Sequence, residues 1–289
     1  MRKSFPRLTI VTVILWTTWS VHAQVVTNTW IRAGTNVSAA NASIVTNWSQ
    51  NHIPAGGEVV QLNASSVLNM TWDITNALTL GGWIQSSQYT GEVTIGTKYP
   101  GQGTLTNVVM SGDCELNGGT WTHTANSGGS VQSDHLMATI GGNLTVGANA
   151  AIDVSGRGYA EPLGPGHGNQ VQRNNEGGQA ASYGGWGAWG SLTNQSLSYG
   201  SIVAPVDLGS GASGRGGGAV ELRVSGTATV NGMIRANGTN TFSLQPGGSG
   251  GSVYLVAGAL AGAGAFEAEG GIEVGAGQET YWSGAGGRI

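Results

Sequence analysis

The sequence predicts an all-β protein whose many short strands stack as a parallel β-helix, a solenoid, and three observations point there: abundant glycine, scarce charge and an internal repeat. Of 289 residues, 52 are glycine and only 9% are charged, against about 25% charged in ordinary globular proteins. Helix bundles and coiled coils need charged, amphipathic surfaces that this chain cannot supply. The apolar share of 39% is dispersed in short alternations of Val, Ile, Leu and Ala, which suits a narrow core built from many strands.

Up to about residue 140 the β-type runs are Val59-Val60-Gln61-Leu62, Leu78-Thr79-Leu80, Val93-Thr94-Ile95, Leu105-Thr106-Asn107-Val108 and Cys114-Glu115-Leu116. Turn signals such as Gly81-Gly82, Asn117-Gly118-Gly119 and Gly128-Gly129 separate them, and strands this short with corners this frequent fit a solenoid better than a sandwich. Glycine rises sharply after residue 140, with 38 of the 52 lying in 141–289. There Gly217-Gly218-Ala219-Val220-Glu221-Leu222-Arg223-Val224 is answered 33 residues later by Gly250-Gly251-Ser252-Val253-Tyr254-Leu255-Val256-Ala257. The run Ala228 to Gly238 is answered 32 residues later by Leu260 to Gly270, and a weaker earlier copy spans Leu144-Thr145-Val146 and Ile152-Asp153-Val154. Alternate residues are apolar, so each strand has an inward face, and glycine at the corners is expected to turn the chain at positive φ onto a new face. No single copy can bury that face; stacking copies in parallel does.

The motif Gly-Gly-x-Val-x-Leu, then Val-x-Gly, then Ile-x-Ala-x-Gly, resembles the glycine-rich right-handed parallel β-helix (pectin-lyase-like) regions of large secreted or surface-attached bacterial proteins. The resemblance covers residues 136 to 289, and Tyr199-Gly200-Ser201, Pro205, Leu208-Gly209-Ser210-Gly211 and Gly216-Gly217-Gly218-Ala219-Val220 carry its most specific stretch. The opening, with Trp30, Asn47-Trp48-Ser49, Pro54, Gly57-Glu58 and Val60, is similar to the first-coil module of autotransporter-like exported proteins, with Gln50-Asn51 and Glu58 where that module commonly has Gly and Asp. The resemblance implies fold and compartment, in an adhesin-like protein of the cell surface, and most such proteins have no established activity. The expected organisation is a signal peptide over 1–23, N-terminal coils over 24–140 and Gly-rich coils over 141–289, with a loop insertion at about 155–216. Because Gly286-Gly287-Arg288-Ile289 aligns with Gly250-Gly251-Ser252-Val253, the chain is expected to be cut off inside a further coil and to continue in a longer protein.

The leader follows from Arg2, Lys3 and Arg7 before the apolar run Leu8 to Trp16, with Val21-His22-Ala23 supplying the small-x-small pattern for cleavage. Threonines interrupt that run and it is short for a membrane span, so the mature segment is expected not to insert in a membrane. Beyond Ala23 there are 8 basic and 15 acidic residues, net −7. So few cations argue against nucleic acid and anionic membrane partners. Cys114 stands alone, so no internal disulfide is available and it reads as an inward-facing strand residue.

Candidate chemistry concentrates in the insertion. Tyr159, Tyr183, Trp186, Trp189 and Tyr199 are the candidate ligand-binding residues, since flat rings with polar edges stack on sugars; the bland reading is that they pin the loop to the body. The partner they would serve is an extracellular polysaccharide or cell-surface glycan. A polysaccharide lyase or glycosidase would need a carboxylate pair or an acidic metal site with a nearby cation. Only Asp153, Glu161, Glu176, His167 and Arg173 could be assembled into one, and they share no catalytic spacing. No catalytic residue, metal ligand or cofactor is assigned. Gly185-x-Gly187-x-x-Gly190 neither follows an apolar strand nor opens a helix, Gly247 to Ser252 lacks the aspartate of a calcium repeat, and His52, His123, His135 and His167 lack metal-ligand spacing. Sequons such as Asn36-Val37-Ser38, Asn63-Ala64-Ser65 and Asn143-Leu144-Thr145 read as turn chemistry. The sequence thus favours a non-catalytic, exported structural or adhesion-type protein of the bacterial cell surface. The alternatives are a carbohydrate-active enzyme and a glycan-binding module without turnover.

Overall fold

The computed structural model describes residues 25–32, 40–75, 77–126, 129–168, 179–188, 197–242, 245–274 and 282–289. The expected signal peptide, with its cleavage site at Ala23, lies outside the described residues. Sixteen strands form among them. The first eight are β1 (Thr27–Thr29), β2 (Val59–Leu62), β3 (Met70–Trp72), β4 (Thr79–Leu80), β5 (Gly82–Gln85), β6 (Glu92–Ile95), β7 (Val108–Met110) and β8 (Cys114–Leu116). The rest are β9 (Gly119–His123), β10 (Leu136–Ile140), β11 (Leu144–Val146), β12 (Ala150–Asp153), β13 (Ala219–Val230), β14 (Met233–Arg235), β15 (Ser252–Ala261) and β16 (Ala265–Glu267). One 3-10 turn, Val45–Asn47, is the only helical element among the described residues.

All strand pairs are parallel, and they make two sheets. The six-stranded sheet runs β16-β14-β12-β9-β6-β3; the ten-stranded sheet runs β1-β2-β5-β8-β11-β13-β10-β7-β4, with β15 on the far side of β13. Val220 pairs with Val253 and Ala228 with Leu260, the offsets at which the sequence repeats.

This arrangement corrects the expected right-handed parallel β-helix solenoid with its Gly-rich loop insertion. The chain forms two sheets, one curled and one flat, of the all-parallel kind found in α/β proteins, although no α-helix covers either among the described residues. The clearest departure lies just after Val224, where a glycine of the repeat makes no corner. Ser225 and Gly226 do not turn the chain onto another face but form a bulge inside a single twelve-residue strand. The first part of β13 pairs with β10 and its last part with β11, so two rows of strands merge into one sheet. Ser225-Gly226 can bulge because Gly226 carries no Cβ, which would strike the Asn143 side chain beneath it.

Glycine has a second use that corrects the expectation of positive-φ corners. Among the described glycines after residue 140, only Gly156, Gly164, Gly200 and Gly262 have positive φ. At Gly217 the φ is ordinary, but a Cβ would collide with the carbonyl of Ala236 and the amide of Gly251. Glycine there lets one backbone lie directly on the next.

One apolar core lies between the sheets and runs from Trp30 to Val253 with no break near residue 140. Inward positions stack in columns: Val60, Trp83, Cys114, Leu144 and Ala228 are consecutive partners and all fully buried. Trp30, Trp48, Trp72, Trp83 and Trp121 form an edge-to-face series with ring centroids 5.3, 6.5, 5.1 and 5.2 Å apart, the geometry that aromatic quadrupoles prefer. Trp83 belongs to the ten-stranded sheet and Trp121 to the six-stranded one, so the series ties the two together. Their indole N–H groups both donate to Gln85 Oε1, at 3.0 and 2.5 Å, while the Gln85 amide donates to Gly118 O at 2.8 Å.

Candidate functional site

The described part of the insertion is bonded into the body by its backbone. Tyr159 N–H donates to Gly209 O, Gly209 N–H to Gly217 O and Gly216 N–H to Tyr159 O, at 2.9–3.0 Å. Further along, Gly168 N–H donates to Gly211 O and Ser182 N–H to Gly166 O. Arg215 closes the assembly: its guanidinium donates to the carbonyls of Gly156, Asn126 and Gly158 at 2.8–3.0 Å. Desolvation lowers its pKa.

Three of the five aromatic candidates are held in this body. Tyr159 is buried against Leu208 and Ala219, with Tyr99 and Leu163 packed on the same cluster. Tyr183 is fully buried, its hydroxyl 2.6 Å from Ser252 Oγ, and burial pushes its pKa up to about 12. Tyr199 is half-buried, donates to Leu208 O at 2.6 Å and lies 2.7 Å from Ser210 Oγ. The rings of Tyr183 and Tyr199 pack at 4.7 Å, and the Arg288 guanidinium lies 5.5 Å from the centre of the Tyr183 ring. Trp186 is different: it is 63% exposed. Trp189 lies outside the described residues, as do Arg173 and Glu176. Glu161 and His167 are exposed, and Asp153 is committed to Arg235 at 2.7 Å across the β12–β14 pair.

A polar cluster that sequence reasoning did not assemble sits at the start of β10. Lys98 and Asp134 pair by an antiparallel bridge and an ion pair of 2.5 Å, with Asp134 almost fully buried. His135 is 4% exposed and stacks on Tyr99 at 4.1 Å, and neither ring nitrogen has a hydrogen-bond partner. Burial lowers its pKa. On the adjacent strand Glu221 accepts from Arg223 at 2.9 Å. Nearby, His123 is locked neutral: Nε2 accepts from Ala219 N–H at 3.2 Å, so Nδ1 carries the proton directed at Thr124 O, and burial lowers its pKa to about 4. Gln132, just before the cluster, grips the returning insertion by donating to Asp207 and accepting from Leu208 N–H, both at 2.8 Å.

Chemically, the carboxylates of this cluster are closed in ion pairs. Asp134 and Glu221 each hold a cation, whereas a glycosidase needs one carboxylate free to lose or gain a proton beside a second. Burial and flanking carboxylates raise the Cys114 pKa, so the thiol is unreactive. No group of three or more His, Cys, Asp or Glu among the described residues could hold a metal ion. The alternation of β10 could have placed Asp134 and His135 just outside a strand, but Lys98 and Glu221 are 36 and 87 residues from Asp134, too far for spacing to reveal. Beside Arg223, whose guanidinium is 6.0 Å from the Tyr254 ring centre, an apolar groove of about 310 Å³ opens between Ile202, Val203, Pro205 and β15. The chain matches no protein-family model, no curated protein and no solved structure.

Proposed function

We propose that this chain is a non-catalytic structural or adhesion-type protein, exported to the bacterial cell surface by its leading segment. The supporting observation is that the described carboxylates of the site are closed in ion pairs and that several polar side chains hold backbone layers together. Asp134 holds Lys98 and Asp153 holds Arg235 across neighbouring segments, Arg215 gathers three carbonyls, and Glu221 is paired with Arg223 on its own strand. A continuous core crossed by tryptophans gives such a body rigidity along the direction of strand stacking. The test is incubation with plant, algal and bacterial polysaccharides, reading new reducing ends and unsaturated products. The proposal expects none; product formation that Asp153→Asn or Glu161→Gln abolishes would replace it with a carbohydrate-active enzyme.

A second reading, glycan binding without turnover, is favoured by one feature, the exposed Trp186. An indole this open is available to stack on a sugar ring. Retention on immobilised polysaccharide that Trp186→Ala abolishes would establish it.

A further inference from the structure

We propose that Lys98 and Asp134 join their side chains in an intramolecular amide bond, the ion pair between them being the arrangement from which it forms. Lys98 is the only lysine beyond Lys3, and its Nζ lies 2.5 Å from Asp134 Oδ1. The carboxylates of Asp153 and Glu221 are held by arginine instead. A guanidinium does not condense with a carboxyl group, whereas a lysine amine that has shed a proton is a nucleophile.

The backbone brings the two side chains together. Tyr99 N–H donates to Ser133 O at 3.1 Å and His135 N–H to Thr97 O at 3.2 Å. Lys98 and Asp134 therefore face each other as the non-hydrogen-bonded pair of an antiparallel bridge, the position at which opposed side chains approach most closely. The Lys98 stem lies against Gly103, where a Cβ would meet Lys98 Cγ at 2.7 Å. The Asp134 side chain is 3% exposed, so little water competes for its carboxyl carbon. Reactants held in this way condense within one molecule and not between two.

The polar atoms behind Asp134 give the proton a route. Ser133 Oγ lies 2.6 Å from Asp134 Oδ2 and 2.7 Å from Asn126 Oδ1, and Asn126 Oδ1 is fixed as an acceptor by Ser133 N–H at 2.9 Å. One hydroxyl proton cannot serve both oxygens. In the reacting form Ser133 donates to Asn126, and Asp134 Oδ2, having taken a proton from Lys98, donates to Ser133 Oγ. The Nζ lone pair then attacks Asp134 Cγ; the C–N bond forms, the C–Oδ2 bond breaks, and Oδ2 leaves as water with two of the three ammonium protons. The third stays on the amide nitrogen, so the step consumes no oxidant or co-reactant. The new bond closes the chain from Lys98 to Asp134 into a loop that holds β7, β8 and β9.

The test is mass spectrometry of the purified, folded chain, intact and after denaturation and digestion with trypsin. The expected intact mass is lower by one water than that calculated from the sequence with the same termini. Residues 33–157 contain a single internal tryptic site, after Lys98, and are expected to emerge as one peptide lacking one water, because an acylated lysine is not cleaved. Lys98→Arg keeps the cation and the bridge, and is expected to restore both the full mass and cleavage after residue 98. A wild-type chain of full mass that trypsin cuts after Lys98 would overturn the proposal and leave an ordinary ion pair. So would a water loss that persists in Lys98→Arg, which would place the dehydration elsewhere, as in cyclisation of an aspartate onto its own backbone.

Discussion

Replacing Gln85 with leucine tests the link between the two sheets. The Gln85 carbonyl is the acceptor for two indole N–H groups, those of Trp83 and Trp121, and all three side chains are fully buried. Leucine preserves much of the volume and strands both donors where water cannot reach them. Each unsatisfied buried donor costs about 1–3 kcal/mol, so the gross loss is about 2–6 kcal/mol. Removing the buried amide itself returns about 1–3 kcal/mol of its own desolvation, which leaves a net destabilisation of about 1–3 kcal/mol. Against a total stability of about 5–15 kcal/mol, that is a large fraction. Urea unfolding followed by tryptophan fluorescence and far-UV circular dichroism measures it. A loss below about 1 kcal/mol, within the ordinary range for mutations without a specific mechanism, would refute the reasoning that this amide satisfies both indoles.

His123 makes stability depend on pH with a defined sign. Its folded pKa of about 4 lies below its ordinary 6.5, so in that interval the unfolded state binds more protons; stability is full above about 6.5 and is lost as pH falls toward about 4, by up to about 3 kcal/mol. His135 acts in the same direction, so the difference between wild type and His123→Asn in urea midpoint against pH isolates His123, and parallel profiles would contradict its assignment. Gly217→Ala is expected to destabilise by at least about 1–3 kcal/mol through overpacking, since the added methyl meets backbone on two sides; a neutral effect on melting would show that the layers are not in contact there. Trp186→Ala is expected to change stability by no more than about 0.5 kcal/mol because the ring is exposed, and a larger drop in denaturant midpoint would mean that it packs.

Local strand signals were legible in residue alternation. Val59 to Leu62 and Cys114 to Leu116 are strands with the expected bounds, and the 33- and 32-residue offsets reappear as the pairing register of β13 with β15. The inward position of Gln85 was also available in principle, two residues from Trp83 on the same face, although nothing local says that a polar side chain would be tolerated there. The merger of two strand rows was not legible, because Ser225-Gly226 spells a corner and only its neighbours in space make it a bulge. Glycine was misread for a related reason. A glycine that turns the chain and one that admits another backbone look identical in sequence, and the contacts at Gly217 come from Ala236 and Gly251, distant along the chain. The same non-locality hid the joining of Lys98, Asp134, His135 and Glu221, and it makes Tyr183, one of several loop aromatics in the sequence, a buried strut bonded to Ser252.

The account rests on the glycine-rich region being a hydrogen-bonded stack of backbone and not a set of loops, and hydrogen exchange read residue by residue tests that most directly. The amides of Tyr159, Gly209, Gly216 and Gly217, all donors to neighbouring layers, should exchange as slowly as those inside β13 and should be released together with them by global unfolding. Exchange of these four amides at the rate of an open chain while β13 stays protected would contradict the account.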